Sequence, residues 1–215
     1  VTDEVSTRAK RLLDNPNFAL FNFDPDKGLP EKIQSVDYIL ALNYPDNLLA
    51  DNFNLVSEAF FTKNLLDLAI SSKAKFALVE PCFHRKSDGI ADVEAYSYGK
   101  NSSFLRSLVW DYVKKKRLDG RIIRICQVYG AGMSLGPGYG LARFIASILS
   151  SKGLKILGDG VAKGFYLHID DAVSGIIKAL FYKKTSGRIF KFLGNHSHAD
   201  LELAFILRGL SNTEL

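Results

Sequence analysis

Cysteine is scarce in this sequence: its 215 residues contain two, Cys82 and Cys126, far apart along the chain. Two thiols cannot build the disulfide framework of a small secreted protein, so we expect a reducing, cytoplasmic setting. Long apolar runs are absent as well, since no stretch approaches the roughly 18 apolar residues of a membrane span. The polar start VTDEVSTRAK has no signal-peptide pattern and no initiator Met, and we therefore expect a fragment or a processed chain.

Charge of one sign is not strongly in excess. The net charge is +5, with 47% hydrophobic and 24% charged residues, which is typical of a globular protein. The densest basic run, KKKR at 114–117, ends a predicted helix, where cations favour the helix dipole, so we predict no nucleic-acid partner. The positive balance suits a small anionic substrate.

The run NHSH at 195–198 has two close histidines and no third ligand, so we predict no metal site and interpret Ser197 or Asp200 as a helix cap.

Hydrophobic periodicity predicts alternating strands and helices. The predicted helices cover residues 6–13, 54–71, 96–116, 141–151, 170–182 and a last segment from about 200. The predicted strands cover residues 18–23, 36–42, 75–80, a strand beginning at 120 within 120–130, 154–160, 165–169 and 188–194. A glycine-rich loop, GAGMSLGPGYG, separates the two halves of the pattern.

The predicted strands are continuous apolar runs rather than alternating ones, which is typical of strands covered on both faces. The sequence therefore predicts an α/β fold with a doubly wound, Rossmann-like parallel sheet. We expect residues 1–130 to form a partial dinucleotide-binding domain. Residues 131–215 are expected to form mostly a smaller substrate-binding lobe, with segments that return to the sheet.

Tyr96 and Lys100 are four residues apart in EAYSYGKNSS, so on a helix their side chains share one face. A Lys ammonium close to a phenol favours the phenolate and lowers a pKa that is ordinarily near about 10. Such a pair can transfer protons, but taken alone it also fits an ordinary solvated helix.

Three other polar positions near these motifs have structural interpretations. Tyr98 has no Lys four residues later and is assigned to packing or to the lining of a cleft. Asp170 and Asp171 open a predicted helix and are expected to cap it. His168 lies in a short aromatic strand and is expected to be packed.

Several motifs occur in a fixed order: a strand ending in VEP, then YSYGK, RICQVYGAGM, GDG and FYLHIDDAVSGIIKAL. This series resembles the extended short-chain dehydrogenase/reductase family, the NAD-dependent epimerases and dehydratases of nucleotide sugars. The resemblance covers nearly the whole chain and implies that Tyr96 and Lys100 are catalytic. It also implies that both contact the cofactor, NAD or NADP.

The family's Gly-x-x-Gly-x-x-Gly fingerprint is absent, and with it the N-terminal βαβ segment that carries the first strand. In a doubly wound sheet that strand is central, so its loss would leave ladder groups unpaired.

Pro81 falls where the family has a catalytic Ser or Thr, and proline has no donor for a substrate hydroxyl.

Four further positions correspond to cofactor contacts in the resembling family. Asp3 stands where an acidic residue binds the adenosine ribose, and Asp24 matches the acid that contacts adenine. Leu42 and Asn43 stand where a loop passes the cofactor phosphates.

Four positions correspond to substrate contacts. Cys82 lies beside the missing catalytic hydroxyl, and Gln127 replaces an Asn that contacts substrate. Lys163 is the cation nearest to a family Arg that is here Gly164, and Arg143 is a candidate partner for a phosphate.

The resemblance implies an NAD(P)-dependent epimerase or dehydratase that acts on a nucleotide-diphosphate sugar through a keto-sugar. The alternative is a non-catalytic or truncated relative that keeps the fold for binding or assembly, which Pro81, Gly164 and the absent glycine fingerprint favour. Family members often dimerise through two long helices, so a homodimer through residues 54–71 and 96–116 is expected.

Overall fold

The fold is described from a computed structural model, which covers residues 12–21, 24–42, 55–82, 92–133, 135, 140–156 and 158–211. For residues 25 and 92–101 only the backbone is described. Strands and helices alternate along these segments, as the sequence predicts. None of the described helices is long and apolar enough to cross a membrane.

Seven strands and five α-helices are described, besides a short 3-10 turn at Pro25–Lys27. The strands are β1 Tyr38–Leu42, β2 Lys75–Pro81, β3 Gly120–Ile125, β4 Gln127–Tyr129, β5 Lys163–His168, β6 Ile189–Phe192 and β7 Ser197–Ala199. The helices are α1 Leu55–Ser72, α2 Asp92–Lys116, α3 Gly140–Leu149, α4 Ile169–Phe181 and α5 Asp200–Ser211.

The main sheet has the order β1-β2-β3-β6, and all its strand pairs are parallel. A second, three-stranded sheet has the order β4-β5-β7, in which β4 and β5 are parallel and β7 is antiparallel to β5. The α/β fold with a parallel sheet is therefore confirmed. β6 lies late in the chain yet joins the main sheet, while the division into two domains at residue 130 stays a prediction.

Side chains of β2 and β3 alternate between two apolar layers. One layer packs against α1 and α2, and its members include Phe76, Leu78, Leu105, Val109 and Ile122. The other packs against α4, and its members include Ala77, Val79, Ile123, Ile125 and Ala179. Burial on both faces is the physical reason why residues 76–79 and 122–123 are apolar without alternation.

Two predicted strands do not form. The first is the strand predicted at 18–23, of which residues 22 and 23 lie outside the described set. Residues 18–21 have no strand structure. The Phe18 N–H instead donates to the Asn15 carbonyl in a turn. An extended segment needs a neighbouring ladder, which apolar content alone cannot supply. Between 154 and 160, the described residues form a loop, because Gly158 and Gly160 adopt positive φ angles of 66° and 72°.

The strand predicted to begin at 120 is interrupted at Cys126. Its N–H donates to the Phe192 carbonyl of β6, and the next residue, Gln127, already pairs with Tyr166 of the second sheet. The chain therefore changes sheets at this point. The long helix predicted at 96–116 begins earlier, at Asp92.

The N-terminus of α4 is capped differently from the prediction. Asp170 and Asp171 lie in its first turn, where acids favour the dipole, but neither is the cap. The His168 Nδ1 accepts the Asp170 N–H at 3.3 Å, and the ring meets Tyr129 edge-on at 5.3 Å. His168 therefore caps the helix and has one ring contact, while its side chain is 42% exposed rather than packed as predicted.

A buried ion cluster ties α2 to the main sheet. Glu80, near the end of β2, has a fully buried side chain. Its Oε1 accepts a hydrogen bond from Arg106 Nη1 of α2 at 2.6 Å and lies 2.9 Å from Arg124 Nε of β3. Burial raises the pKa of Glu80, and the two guanidinium groups only partly offset this increase. The helix is therefore held to two strands through one carboxylate.

We expect Arg106→Met to lower the free energy of unfolding by about 3 kcal/mol at pH 7, because removing one partner leaves a poorly compensated buried charge. Since the folded-state pKa of Glu80 is already raised and would rise further, its protonation should relieve this loss as the pH falls toward 5. Urea unfolding at pH 7 and pH 5 measures both effects.

Lys115→Met is the matched control. It also breaks an ion pair of α2, at 2.9 Å from Asp111, but both side chains are mostly exposed, so the loss should stay below about 1 kcal/mol. Equal losses for the two variants, or a loss for Arg106→Met that does not change with pH, would contradict the anchoring role of Glu80.

Candidate active site

Three segments of the chain meet at the carboxyl edge of the main sheet. Leu42 ends β1, Cys82 directly follows β2, and Gln127 comes two residues after the end of β3. These strands are parallel neighbours, so their carboxyl ends lie side by side. In open α/β sheets the crevice outside this edge is the usual place for a ligand.

The first turns of α2 lie beyond the same edge. Only three residues connect the end of α2 to the start of β3, so the C-terminal end of α2 lies at the amino edge of the sheet. Residue 96 is about 30 Å from Lys116 along the helix, whereas β3 is about 20 Å long. Tyr96 and Lys100 are both helical and occupy this overhanging part, while their pairing stays a prediction because only their backbone is described.

The positions predicted to bind cofactor are only partly covered. Leu42 is 64% exposed at the edge just described, while Asp3 and Asn43 lie outside the described residues. Asp24 caps the 3-10 turn by accepting the Asp26 N–H at 3.0 Å, and lies 3.5 Å from Lys27. Its carboxylate therefore has a local role, and its contact with adenine stays a prediction.

A dinucleotide at this edge would need residues for both of its ends. The exposed end of β1 and the start of α2 lie where the family resemblance expects the cofactor. A pyrophosphate cradle of the glycine-rich type has no counterpart in the sequence. The contact of the described residues with a dinucleotide therefore stays a prediction.

A second group of polar side chains surrounds the start of α3. Arg143 of α3 and Asp200, the first residue of α5, are close enough to interact electrostatically, and both influence Tyr166 of β5. Asp200 Oδ1 would lie only 3.1 Å from a Cβ at Gly140, so the absence of a side chain there admits the carboxylate. Gln127 is opposite Tyr166 in the ladder and links this group to the sheet edge.

Burial dominates the electrostatics of this group. It raises the pKa of Tyr166 to about 12, with a further contribution from Asp200 and an opposing one from Arg143. It also raises the pKa of Asp200, against the effect of Arg143. Arg143 Nε and Gln127 Oε1 are both buried and have no hydrogen-bond partner among the described residues. One donor and one acceptor of this group are therefore not used by the described residues.

Lys163 is not part of the polar group around the start of α3. It begins β5, pairs with Ala199 in the antiparallel ladder, and is exposed. Its positive charge acts on Glu202 of α5. The substrate roles of Lys163, Cys82, Gln127 and Arg143 stay predictions, although the fold brings Cys82 and Gln127 to one edge. Among the described residues, no group of three or more His, Cys, Asp or Glu could hold a metal.

Sequence reasoning missed Glu80, Arg124 and Tyr166 as site residues. The first two carry a signal that could have found them, because each is a charged residue in a strand that is mostly apolar, and charged residues are seldom buried without a partner. The approach of Asp200 to Arg143 has no such signal, since the two residues belong to separate helices.

The family model described as "NAD dependent epimerase/dehydratase family" matches residues 42–191, more than half of the chain. Among curated proteins, UDP-glucuronic acid decarboxylase 1 of Danio rerio is 24% identical over 230 aligned positions, covering 98% of this chain and 54% of that protein. UDP-glucuronic acid decarboxylase 1 of Arabidopsis thaliana is 26% identical over 184 positions, covering 77% and 41%. The chain thus spans about half or less of the length of these relatives.

Solved structures share the fold. UDP-glucuronic acid 4-epimerase from Bacillus cereus, in complex with UDP-glucuronic acid and NAD, has a TM-score of 0.77 and 22% identity, covering 99% of this chain and 71% of its own. The NAD complex of dTDP-glucose 4,6-dehydratase from Bacillus anthracis has a TM-score of 0.75 and 20% identity, covering 97% and 69%. Together with the matched family model, these likenesses confirm the resemblance carried by the motif order: the chain belongs to the NAD-dependent epimerase/dehydratase family.

Proposed function

We propose that the chain forms the catalytic and substrate-binding part of an NAD(P)-dependent enzyme that modifies a nucleotide-diphosphate sugar through a keto-sugar. The observation that carries the proposal is the overhang of α2. The first turns of α2 contain Tyr96 and Lys100 and extend past the edge at which β1, β2 and β3 end, where Leu42, Cys82 and Gln127 lie.

The two residues have distinct chemical roles in this proposal. Tyr96 takes the proton of a sugar hydroxyl as the C–H bond on the same carbon breaks, and it returns the proton when the carbonyl is reduced. Lys100, one helical turn later, stabilises the phenolate by its charge. A bound NAD would accept the hydride and later return it. Gln127, at the same edge, orients the sugar through its amide.

The nucleotide diphosphate belongs, in this proposal, to the group around α3. Arg143 supplies a guanidinium whose Nε is buried and lacks a partner among the described residues, and guanidinium groups match phosphate oxygens in geometry and charge. Asp200 is close enough to interact electrostatically with Arg143, and burial raises the pKa of Asp200 against the effect of Arg143. The ligand would therefore lie from α3 toward the carboxyl edge of the sheet.

The second candidate function is a non-catalytic relative that retains the fold for binding. The observation that favours it is Pro81, which ends β2 at the slot where the family has a Ser or Thr. Proline offers no hydrogen-bond donor, and the neighbouring Cys82 is a weak one. Under this alternative, sugar nucleotide would still bind near Arg143, but no turnover would occur.

Tyr96→Phe is expected to lower kcat about 10²- to 10⁴-fold, since general acid–base catalysis typically contributes that much. The phenol is lost while the ring is kept, so sugar-nucleotide affinity should change little. Turnover of a panel of UDP-, GDP- and dTDP-sugars with NAD, measured on the full-length protein, tests this expectation.

Tyr98→Phe is the control, because it removes a phenol from the same helix without a Lys one turn later. Its turnover should equal that of the unmodified protein. Unchanged turnover in Tyr96→Phe would remove Tyr96 from the mechanism. Binding without turnover in the unmodified protein would favour the non-catalytic alternative.

Arg143→Met should weaken the binding of UDP roughly 10- to 100-fold, the effect of losing hydrogen bonds to a charged group worth about 1.5–3 kcal/mol. Lys152→Met removes the same charge from an exposed position just after α3 and should leave the affinity unchanged. Calorimetry with UDP compares the two variants. Equal UDP affinities of the two variants would mean that the phosphates bind away from Arg143.

A further inference from the structure

Cys82 and Cys126 are neighbours in the fold, although they are far apart in sequence. The last paired residues of β2 and β3 are Pro81 and Ile125. The Cys82 N–H then donates to the Ile125 carbonyl at 2.7 Å, which extends the parallel ladder by one residue and puts Cys82 beside Cys126. A Cys82 thiolate also acts electrostatically on Cys126, whose pKa is raised mainly by burial and further by that charge.

The alternation of side chains along β2 and β3 predicts that both thiols project toward the same side of the sheet. In β2, Phe76 and Leu78 face α1 and α2, and Glu80 reaches Arg106 of α2. Cys82 continues this alternation two residues later. In β3, Ile122 faces the same layer and Arg124 reaches Glu80. Cys126, two residues after Arg124, continues the alternation on the same side as Ile122 and Arg124.

The spacing suits a covalent bond between the two sulfurs. Neighbouring strands lie about 4.8 Å apart, within the Cα separation of roughly 4.4–6.8 Å found in disulfides. Neither cysteine forms a disulfide in this structure. Cys82 is partly exposed while Cys126 is buried, so an oxidant in solution would meet Cys82 first.

We propose that Cys82 and Cys126 form a dithiol site that is converted to an intramolecular disulfide by small disulfide oxidants. The Cys82 thiolate attacks one sulfur of oxidised glutathione, forming a mixed disulfide and releasing one glutathione thiolate. The Cys126 thiolate then attacks the Cys82 sulfur and displaces the second glutathione. Two protein thiols are thereby oxidised, two glutathione sulfurs are reduced, and each released thiolate takes up one of the two protons lost by the protein.

The disulfide would join the carboxyl ends of β2 and β3 beside the Glu80 cluster. It would also hold the Cys82 sulfur away from any ligand at the carboxyl edge. The site therefore couples the redox state of its surroundings to the candidate active site. Its formation does not depend on the proposed enzymatic activity, because it needs only the two thiols and the fold.

Intact mass and thiol titration after incubation of the full chain with oxidised glutathione test the proposal. We expect a final mass lower by two hydrogens, loss of both thiols and no lasting glutathione adduct. Cys126→Ser should stop at a single glutathione adduct on Cys82, because the resolving thiol is missing. Cys82→Ser should react slowly or not at all, because Cys126 is buried.

The same reaction in urea shows whether the fold brings the thiols together. Closure of the disulfide should slow by about tenfold or more when the chain is unfolded, since the proximity of the thiols is lost. Three results would overturn the proposal: a lasting glutathione adduct on the unmodified chain, disulfide-linked dimers as the main product, or equal closure rates in the folded and unfolded chain.

Discussion

Parallel strands exchange hydrogen bonds with neighbours that are distant in sequence, and this constraint shapes the candidate site. The pairing of β1, β2 and β3 brings the carboxyl ends of these strands to one edge, where Leu42, Cys82 and Gln127 lie, although long helical connections separate the strands along the chain. Each crossover helix must then start at that same edge and return to the other. The helix that carries Tyr96 and Lys100 therefore begins beside the crevice.

Burial of charge adds a second constraint at the same place. Glu80 is fully buried, and the guanidinium groups of Arg106 and Arg124 are the charges that make its ionised form tolerable. Because Arg106 belongs to α2, the neutralisation of one carboxylate also positions a helix. In the group formed by Arg143, Asp200 and Tyr166, opposite charges from two helices also interact, and Gly140 leaves room for the Asp200 carboxylate.

Most of the secondary structure could be predicted because burial on both faces gives continuous apolar runs. β2 and the helices on either side of it follow directly from that pattern. The pattern failed at 18–21 and at 154–160, because apolar content does not tell whether a neighbouring strand is available. It also missed the change of sheet at Cys126, since the apolar residues before and after Gln127 suggest one strand although the pairing partner changes there from β6 to β5.

The candidate site was predictable where it depends on motif order. The spacing of Tyr96 and Lys100 and the motifs that follow them indicated the family, because residue types and their order are properties of the chain itself. Only the tertiary structure decided which buried charges meet Glu80, how Asp200 approaches Arg143, and that Cys82 lies beside Cys126. The reason is physical, because strand pairing and packing of the whole sheet determine which distant segments come into contact. The local sequence around a residue does not specify the distant residue that it will contact.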